Sequence, residues 1–296
     1  MTRKHETIFY ILIGLAGTLF TLAIVLGVVM NLDHGPIPVL FPHGRIAVEE
    51  RNLLLIATFL MLLVVIPVFI LTFAFAWYYR DSNTKAVYRP KSEGDYSLEI
   101  AWWAIPFAII LGMCFLTWYK THELSPYRPI ENGTKPLTIQ VVALDWKWFF
   151  IYPEQSIATV NYLQIPENTP IAFEITADAP MNSFWIPALG GQMYAMPGMK
   201  SQLHLIADGA GTFDGSSANI SGKGFAGMRF PVKATDQKSF EDWVASVQKS
   251  AEPIDLEVYK KLAEPAVDVP QGFYTLGKKD LFTWIVMKYM MPMEGG

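Results

Sequence analysis

The chain has 296 residues, of which 52% are hydrophobic and 17% charged, and its formal net charge at pH 7 is −4. This composition is too apolar for an ordinary soluble protein of that length, and the acidic balance gives no reason to expect a nucleic-acid partner. The single cysteine, Cys114, has no intrachain partner, which excludes a disulfide framework and zinc sites built on paired cysteines.

Three long apolar runs, residues 8–30, 53–79 and 100–119, account for this composition. Each is long enough to cross a hydrocarbon core of about 30 Å at about 1.5 Å per residue. Backbone groups in lipid must be satisfied within the segment, so each run is predicted to be a transmembrane helix. Pro67 and Pro106 lie inside the second and third runs. Membrane helices tolerate proline, so these residues predict local kinks and not helix ends.

The first run has two interpretations. Arg3 and Lys4 before an apolar stretch also describe a secretory signal peptide. However, the run is longer than a signal core of about 7–15 residues, and no small-residue cleavage site follows it. We therefore expect an uncleaved third membrane helix with an external loop over residues 1–50, and cleavage of the run is the alternative.

Basic residues orient the predicted helices. Arg80, Lys85, Arg89 and Lys91 crowd the short segment between the second and third runs. The positive-inside rule places such a segment in the cytoplasm. Residues 51–120 are then a transmembrane hairpin, and everything after the third run lies outside the cytoplasm.

Runs rich in β-branched residues begin after Pro136. They cover residues 137–144, 158–165, 171–176 and 202–207, and Pro, Gly, Asn and Asp separate them. Short strands at this spacing predict an antiparallel sandwich or barrel.

The pattern becomes helical after Ala234. Asp236 is the predicted N-cap of a helix over 238–248, whose apolar residues recur on one face. Residues 256–262 and 280–291 are further predicted helices. The last apolar patch is too short to span a bilayer, so we expect it to pack on the domain, on another subunit or at the membrane interface.

One loop has the spacing of a metal site without its ligands. Residues 211–230 read GTFDGSSANISGKGFAGMRF, and they resemble the copper loop of subunit II of haem–copper oxidases, Cys-x-Glu-x-Cys-x3-His-x2-Met. The matching positions are Ser217, Asn219, Ser221, Phe225 and Met228, and a further family histidine is matched by Asn182. Copper of this kind needs thiolate and imidazole ligands. The resemblance therefore implies a loop retained as scaffold and a vestigial copper site that holds no metal.

Other strings carry the same resemblance, above all DWKWFFIYPE at 145–154, with QMYA at 192–195 and GKGFAGM at 222–228. They are similar to subunit II of the bo-type ubiquinol oxidases over about residues 45–285. The resemblance implies an all-β cupredoxin Greek-key sandwich over 121–234, followed by a C-terminal helical extension over 235–296. The expected fold is thus two to three transmembrane helices joined to that sandwich and extension.

The resemblance implies a function as well. The chain would be the structural and docking subunit II of a proton-pumping terminal quinol oxidase, which oxidises quinol and reduces dioxygen to water together with subunit I. Haems and copper are expected in subunit I, and no cofactor in this chain. The implied partners are subunits I, III and IV, membrane lipid and quinol. The implied location is the bacterial inner membrane, multi-pass, with the C-terminal domain in the periplasm.

Three residues outside the loop are candidate functional residues. Glu99 begins the third helix at its cytoplasmic end, where the helix dipole alone favours an acid by about 0.3–1 kcal/mol. The resemblance implies that it stands at the entrance of a proton path into subunit I. Trp146 and Trp148 alternate along a predicted strand and are expected on one face of it. With no copper donor beside them, we expect these aromatic residues to serve in structural docking.

Several other residues are expected to be structural. His204 lies between two leucines of a predicted strand and matches no family ligand, so it is expected to be a hydrogen-bonded structural histidine. The residues Met193, Met196 and Met199 are expected to be core fillers and not copper ligands.

Two other classes of protein remain as alternatives. A cytochrome c oxidase subunit II would need the missing thiolates and imidazoles. A membrane-anchored binding or assembly protein on a cupredoxin scaffold would act outside any oxidase. The sequence leaves open the quinone type, the haem types of subunit I and whether this chain contacts quinol.

Overall fold

The computed structural model describes residues 37–86, 96–278 and 280–290. The first apolar run, 8–30, lies outside these residues, and so do its predicted helix and the question of its cleavage. The remaining two apolar runs form helices α1 (Arg45–Tyr78) and α2 (Tyr96–Glu123), both long and apolar enough to cross a membrane.

Both helices continue through their prolines, as predicted. Pro67 lies inside α1 and Pro106 inside α2. Neither helix buries its apolar side chains in the described part of the chain, apart from Ala47 near the start of α1. An apolar helix that leaves its side chains exposed in this way requires lipid or another subunit around it.

The β domain that follows is a two-layer sandwich. One sheet has the strand order β11-β12-β3-β2-β1-β5-β8, and the other has the order β4-β10-β9-β6-β7. The strands are β1 (Leu137–Leu144), β2 (Lys147–Tyr152), β3 (Ile157–Val160), β4 (Leu163–Pro166), β5 (Ile171–Ala177), β6 (Asn182–Trp185), β7 (Met193–Ala195), β8 (Ser201–Leu205), β9 (Gly211–Ser217), β10 (Arg229–Thr235), β11 (Glu252–Ile254) and β12 (Gly272–Leu276).

Two details of the sandwich differ from the sequence prediction. The sheets are mixed and not purely antiparallel, because β1 pairs with β5, β4 with β10 and β11 with β12 in parallel. The predicted strand 158–165 is two strands that belong to different sheets. The break is at Asn161, whose φ of 50° is a left-handed conformation that asparagine tolerates better than most residues.

Strand β2 explains how the two sides of the large sheet are buried. All of its residues are buried, so it does not alternate between core and solvent. Trp148 and Phe150 point into the core between the sheets, whereas Phe149 and Ile151 belong to a second apolar cluster on the outer side. A strand covered on both faces is apolar almost throughout, which is the pattern of this segment.

The C-terminal extension supplies the outer cover. Helix α3 (Gln237–Ser250) packs on the core between the sheets, and helices α4 (Leu256–Ala263) and α5 (Leu281–Met287) form the second cluster. The predicted N-cap is confirmed, since the Asp236 side chain accepts from the backbone N–H of Ser239 at 2.9 Å. The extension is not only helical, because it also contributes β11 and β12 to the large sheet.

Candidate functional site

The loop that resembles a copper site joins β9 to β10 at one end of the sandwich. A short 3₁₀ turn, Phe225–Gly227, precedes β10. The backbone N–H of Ser217 donates to the carbonyl of Met228 at 3.1 Å, and that of Ala218 donates to the carbonyl of Ser183 at 3.0 Å. These bonds close the loop and bring it against β6, the strand that carries Asn182.

The polar side chains at the matching positions hydrogen-bond to one another and to the nearby backbone. The Ser217 hydroxyl lies 3.1 Å from Asn182 Oδ1 and 3.2 Å from the carbonyl oxygen of Asn219, so it is placed to donate to either. The Asn219 side-chain amide donates to the carbonyl of Met181 at 2.9 Å, and that of Asn182 donates to the carbonyl of Pro180 at 2.8 Å. The structure therefore places Asn182, Ser217 and Asn219 within one hydrogen-bonded group.

The chemistry of the assembled residues does not fit copper. Met228 is fully buried, and its sulfur accepts from the Ser221 hydroxyl at 3.6 Å. A thioether, two hydroxyls, two amides and the Phe225 ring supply neither thiolate nor imidazole, the ligands that soft copper requires. Across residues 37–86, 96–278 and 280–290, no group of three or more His, Cys, Asp or Glu side chains is placed to hold a metal ion.

The Trp146 side chain packs against the backbone of the loop and hydrogen-bonds to it. Its indole N–H donates to the carbonyl of Ser221 at 3.2 Å. A Cβ added at Gly224 would lie 2.4 Å from the Trp146 ring, and Gly222 has a φ of +120° that only glycine adopts readily. The two glycines therefore let the backbone of the loop lie directly on the indole ring.

The prediction for the two tryptophans is wrong in its geometry. Trp146 lies in the turn before β2 with a φ of 61°, so it does not alternate with Trp148 along a strand. Trp148 is fully buried and packs edge-on against Phe184 and Phe230. A side chain with no exposed surface cannot contact a partner, which assigns Trp148 to the core and leaves Trp146 as the docking candidate.

Glu99 lies in the first turn of α2, as predicted. It lines a shallow groove whose other lining residues are apolar or aromatic, among them Tyr96, Trp103 and Phe107. These large side chains are exposed along one face of the helix. Glu99 forms no salt bridge with another described residue. It is thus a carboxyl group on an apolar helix face, an arrangement that is costly in lipid and usually functional.

A buried lysine was missed by sequence reasoning. Lys147 is only 2% exposed, and its ammonium group donates to the carbonyl of Glu264 at 2.6 Å, just beyond the C-terminus of α4. Burial lowers the pKa of Lys147, and this effect is larger than the opposing effect of the nearby Asp145 and Glu264 charges. The one signal available was a charged residue inside an otherwise apolar strand.

A buried carboxylate was missed as well. The Asp178 side chain accepts from the Tyr259 hydroxyl at 2.7 Å, from the Lys288 ammonium at 2.7 Å and from the Tyr289 hydroxyl. Burial is the main cause that raises the pKa of Tyr259 and of Tyr289, and the Asp178 carboxylate raises both further. Asp178 therefore ties the end of β5 to the C-terminal extension, a long-range contact for which the sequence gives no local signal.

The prediction for His204 is confirmed, whereas the prediction that the three methionines fill the core is wrong for one of them. The His204 ring nitrogen Nδ1 lies 2.8 Å from the carbonyl oxygen of Pro126, which makes it a hydrogen-bonded structural residue. Met193 packs against the core as expected. Met199 is 51% exposed, so it is not a core residue.

The fold and the loop together define a membrane-anchored, cupredoxin-like domain whose copper loop lacks its ligands. Residues 116–235 match the family model of the cytochrome c oxidase subunit II periplasmic domain, and residues 248–293 match that of the COX aromatic rich motif.

Curated relatives extend the match to most of the chain. The cytochrome bo(3) ubiquinol oxidase subunit 2 of Pseudomonas putida is 53% identical over 84% of this chain and 79% of its own length. The ubiquinol oxidase subunit 2 of Acetobacter aceti is 47% identical over 85% of this chain and 82% of its own length. The quinol oxidase subunit 2 of Bacillus spizizenii is 39% identical over 83% of this chain and 76% of its own length.

The chain belongs to the family of quinol oxidase subunit II, within the haem–copper oxidases. A subunit II of this class works with a subunit I, and the matched β domain is a periplasmic one anchored by the two apolar helices. An assembly protein acting outside an oxidase is not favoured.

Proposed function

We propose that this chain is the subunit II of a proton-pumping terminal oxidase that takes electrons from quinol directly into subunit I, with no redox centre in subunit II. The haems and copper that reduce dioxygen to water belong to subunit I. This chain supports and caps subunit I on the periplasmic side of the bacterial inner membrane, which it crosses more than once. Subunits III and IV complete the complex.

One observation carries the proposal: the copper loop is intact as a fold while the matching side chains lack copper chemistry. Asn182, Ser217 and Asn219 form hydrogen bonds where the family has metal ligands, and the loop packs on Trp146. A quinol dissolved in the membrane reaches its oxidant laterally. Only a soluble electron donor needs a relay outside the membrane.

Glu99 is the proposed entrance for protons. Its position in the first turn of α2 places it at the end of the hairpin opposite the β domain, which is the cytoplasmic side in the orientation set by the basic loop. The apolar groove around it is the proposed contact with subunit I, which would cover the carboxyl group and connect it to an internal path.

Elemental analysis of the full chain purified in detergent tests the copper-free proposal. We expect far less than one copper per chain, before and after incubation with copper salt followed by desalting. Stoichiometric copper, or a thiolate-like visible absorption after copper addition, would contradict it.

A further inference from the structure

The linker between α2 and β1 contains Asn132 followed by Gly133, the only place in the chain where a glycine follows an asparagine. The Asn132 side-chain amide donates to the carbonyl of Asn168 at 2.8 Å. Asn168 lies between β4 and β5, so this bond ties the linker to the sandwich. The chemistry of the two adjacent residues makes the bond vulnerable.

The Asn132 side chain folds back over the next peptide unit. Its Oδ1 accepts from the backbone N–H of Thr134 at 3.1 Å and from the Thr134 hydroxyl at 2.6 Å. This is an Asx turn, and the ring that it closes contains the backbone nitrogen of Gly133. Two donors on one carbonyl oxygen stabilise negative charge that develops there, as in an oxyanion hole. The carboxamide carbon of Asn132 is therefore activated towards a nucleophile.

Gly133 supplies an accessible nucleophile, its own backbone nitrogen. The residue has a φ of 80°, and a Cβ built there would meet no atom within 4 Å. Its N–H forms no hydrogen bond with any described residue, and both Gly133 and Thr134 are exposed to solvent. A base in solution can therefore reach this N–H. Because nucleophile and carbonyl belong to neighbouring residues, their reaction is intramolecular and needs no partner.

We propose that Asn132 is a site of spontaneous covalent modification, converted by attack of Gly133 into aspartate and isoaspartate. A base removes the amide proton of Gly133, and the nitrogen forms a bond to Asn132 Cγ. The bond from Cγ to Nδ2 breaks, and Nδ2 takes up a proton and leaves as ammonia. The five-membered succinimide that remains is opened by water at either carbonyl. One water is consumed and one ammonia is released.

The modification removes the contact between the linker and Asn168. A carboxylate has no hydrogen to donate, so the product faces the Asn168 carbonyl without a bond. It also adds a negative charge next to Glu131, and the isoaspartate product adds one carbon to the backbone. We therefore expect a looser linker in modified molecules. This inference goes beyond the proposed function and does not rest on it.

Peptide mapping by mass spectrometry tests the proposal on the whole complex in detergent, incubated at neutral and at alkaline pH. The peptide that contains Asn132 is expected to accumulate succinimide, aspartate and isoaspartate, faster at alkaline pH because more base is present. Asn219 is the internal control. It is half-buried like Asn132 but is followed by Ile220, whose branched side chain hinders attack. Its modified fraction should stay at background.

Three variants separate the contributions to the reaction. Thr134→Val keeps the backbone donor and removes the hydroxyl from Asn132 Oδ1. It should slow the conversion roughly tenfold, less than the loss of a donor in a buried oxyanion hole, because water replaces the hydroxyl at this exposed site. Thr212→Val, at an exposed position of β9, is the matched control and should react like the wild type. Asn132→Gln should show no conversion, because its attack would need a larger ring.

An unmodified Asn132 after alkaline incubation would overturn the proposal, and so would equal conversion at Asn132 and Asn219. Equal rates in the wild type and Thr134→Val would contradict the activation of Asn132 by that hydroxyl.

Asn132→Asp imitates the aspartate product and tests the consequence for the linker. A protease should cut this variant within residues 125–136 about fivefold faster than the wild type, the equivalent of one ordinary hydrogen bond. Equal cleavage of the two would contradict the loosening of the linker.

Discussion

At the scale of single residues, the proposed proton entrance depends on Glu99. This carboxyl group lies on an apolar face of α2, where it has no ion pair within the described residues and where the first turn of a helix already favours an acid. A role in helix stabilisation and a role in proton uptake would each explain a glutamate at this position. A variant that removes the charge and keeps the shape of the side chain distinguishes the two roles.

Glu99→Gln keeps the size and hydrogen-bonding capacity and removes the titratable proton. We expect oxygen consumption per haem to fall roughly tenfold, less than the ~100-fold of a group in direct proton transfer, because Glu99 stands at an entrance. Haem content should be unchanged. Glu241→Gln on the exposed side of α3 is the control. Unchanged turnover per haem in Glu99→Gln would reduce the residue to a helix-stabilising acid.

Tyr152 gives a residue-scale prediction for pH. Its hydroxyl is buried and donates to the carbonyl of Gln164 at 2.9 Å, and burial raises the pKa of Tyr152 far above its usual value near 10. Above that pH the unfolded chain releases this proton and the folded chain keeps it. The contribution of Tyr152 to the free energy of unfolding is therefore fully present below pH ~10. It falls as the pH rises further, by at most about 1.4 kcal/mol per pH unit.

Tyr152→Phe removes this hydrogen bond, so the variant should be less stable than the wild type at pH 8. Its free energy of unfolding should also decline less steeply above pH ~10. Denaturant unfolding of the full chain in detergent, followed by tryptophan fluorescence at several pH values, measures both effects. Tyr194→Phe, at an exposed position of β7, is the control. An identical alkaline slope in wild type and Tyr152→Phe would contradict the assignment.

At the scale of elements, the C-terminal extension is held by two polar contacts as well as by apolar packing. Lys147 reaches the end of α4, and Asp178 reaches both α4 and the residues after α5. Buried polar groups are costly unless they are paired, so each contact makes the position of the extension specific. The extension is thus an integral layer of the β domain.

Asp178→Ala should release this layer. The change leaves the buried Tyr259 hydroxyl and the Lys288 ammonium without their acceptor, at a cost of about 3 kcal/mol in the free energy of unfolding. Limited proteolysis should then cut within residues 280–290 before the sandwich is degraded. Asp242→Ala, on the exposed side of α3, should change neither. A protease pattern like that of the wild type would show that apolar packing alone holds the extension.

The sequence predicted the structural features that depend on neighbouring residues and missed those that depend on distant segments. The N-cap at Asp236 and the apolar face of α3 were predicted because cap and periodicity depend on neighbouring residues. The strand β12 was missed, although its GFYTL segment is rich in strand formers, because its partner β3 is far away in the chain. The break at Asn161 and the contacts of Asp178 also depend on distant segments.

At the scale of the whole molecule, the candidate site depends partly on one segment and partly on the fold. The positions from Ser217 to Met228 follow a fixed spacing, which is what the family resemblance used, whereas Asn182 lies on β6 and reaches the loop only through the fold. The position of Trp146 beneath that loop was not predictable, because it depends on a left-handed turn and on two glycines in another segment. The result is a cupredoxin-like domain that keeps its loop by packing and hydrogen bonding.

The central claim is that electrons enter the complex from quinol without a copper relay in this subunit. Oxygen consumption by the purified complex, with either a short-chain quinol or reduced cytochrome c as the electron donor, tests it most directly. We predict rapid oxygen consumption with quinol and none above background with cytochrome c. Sustained turnover with cytochrome c and none with quinol would contradict the claim.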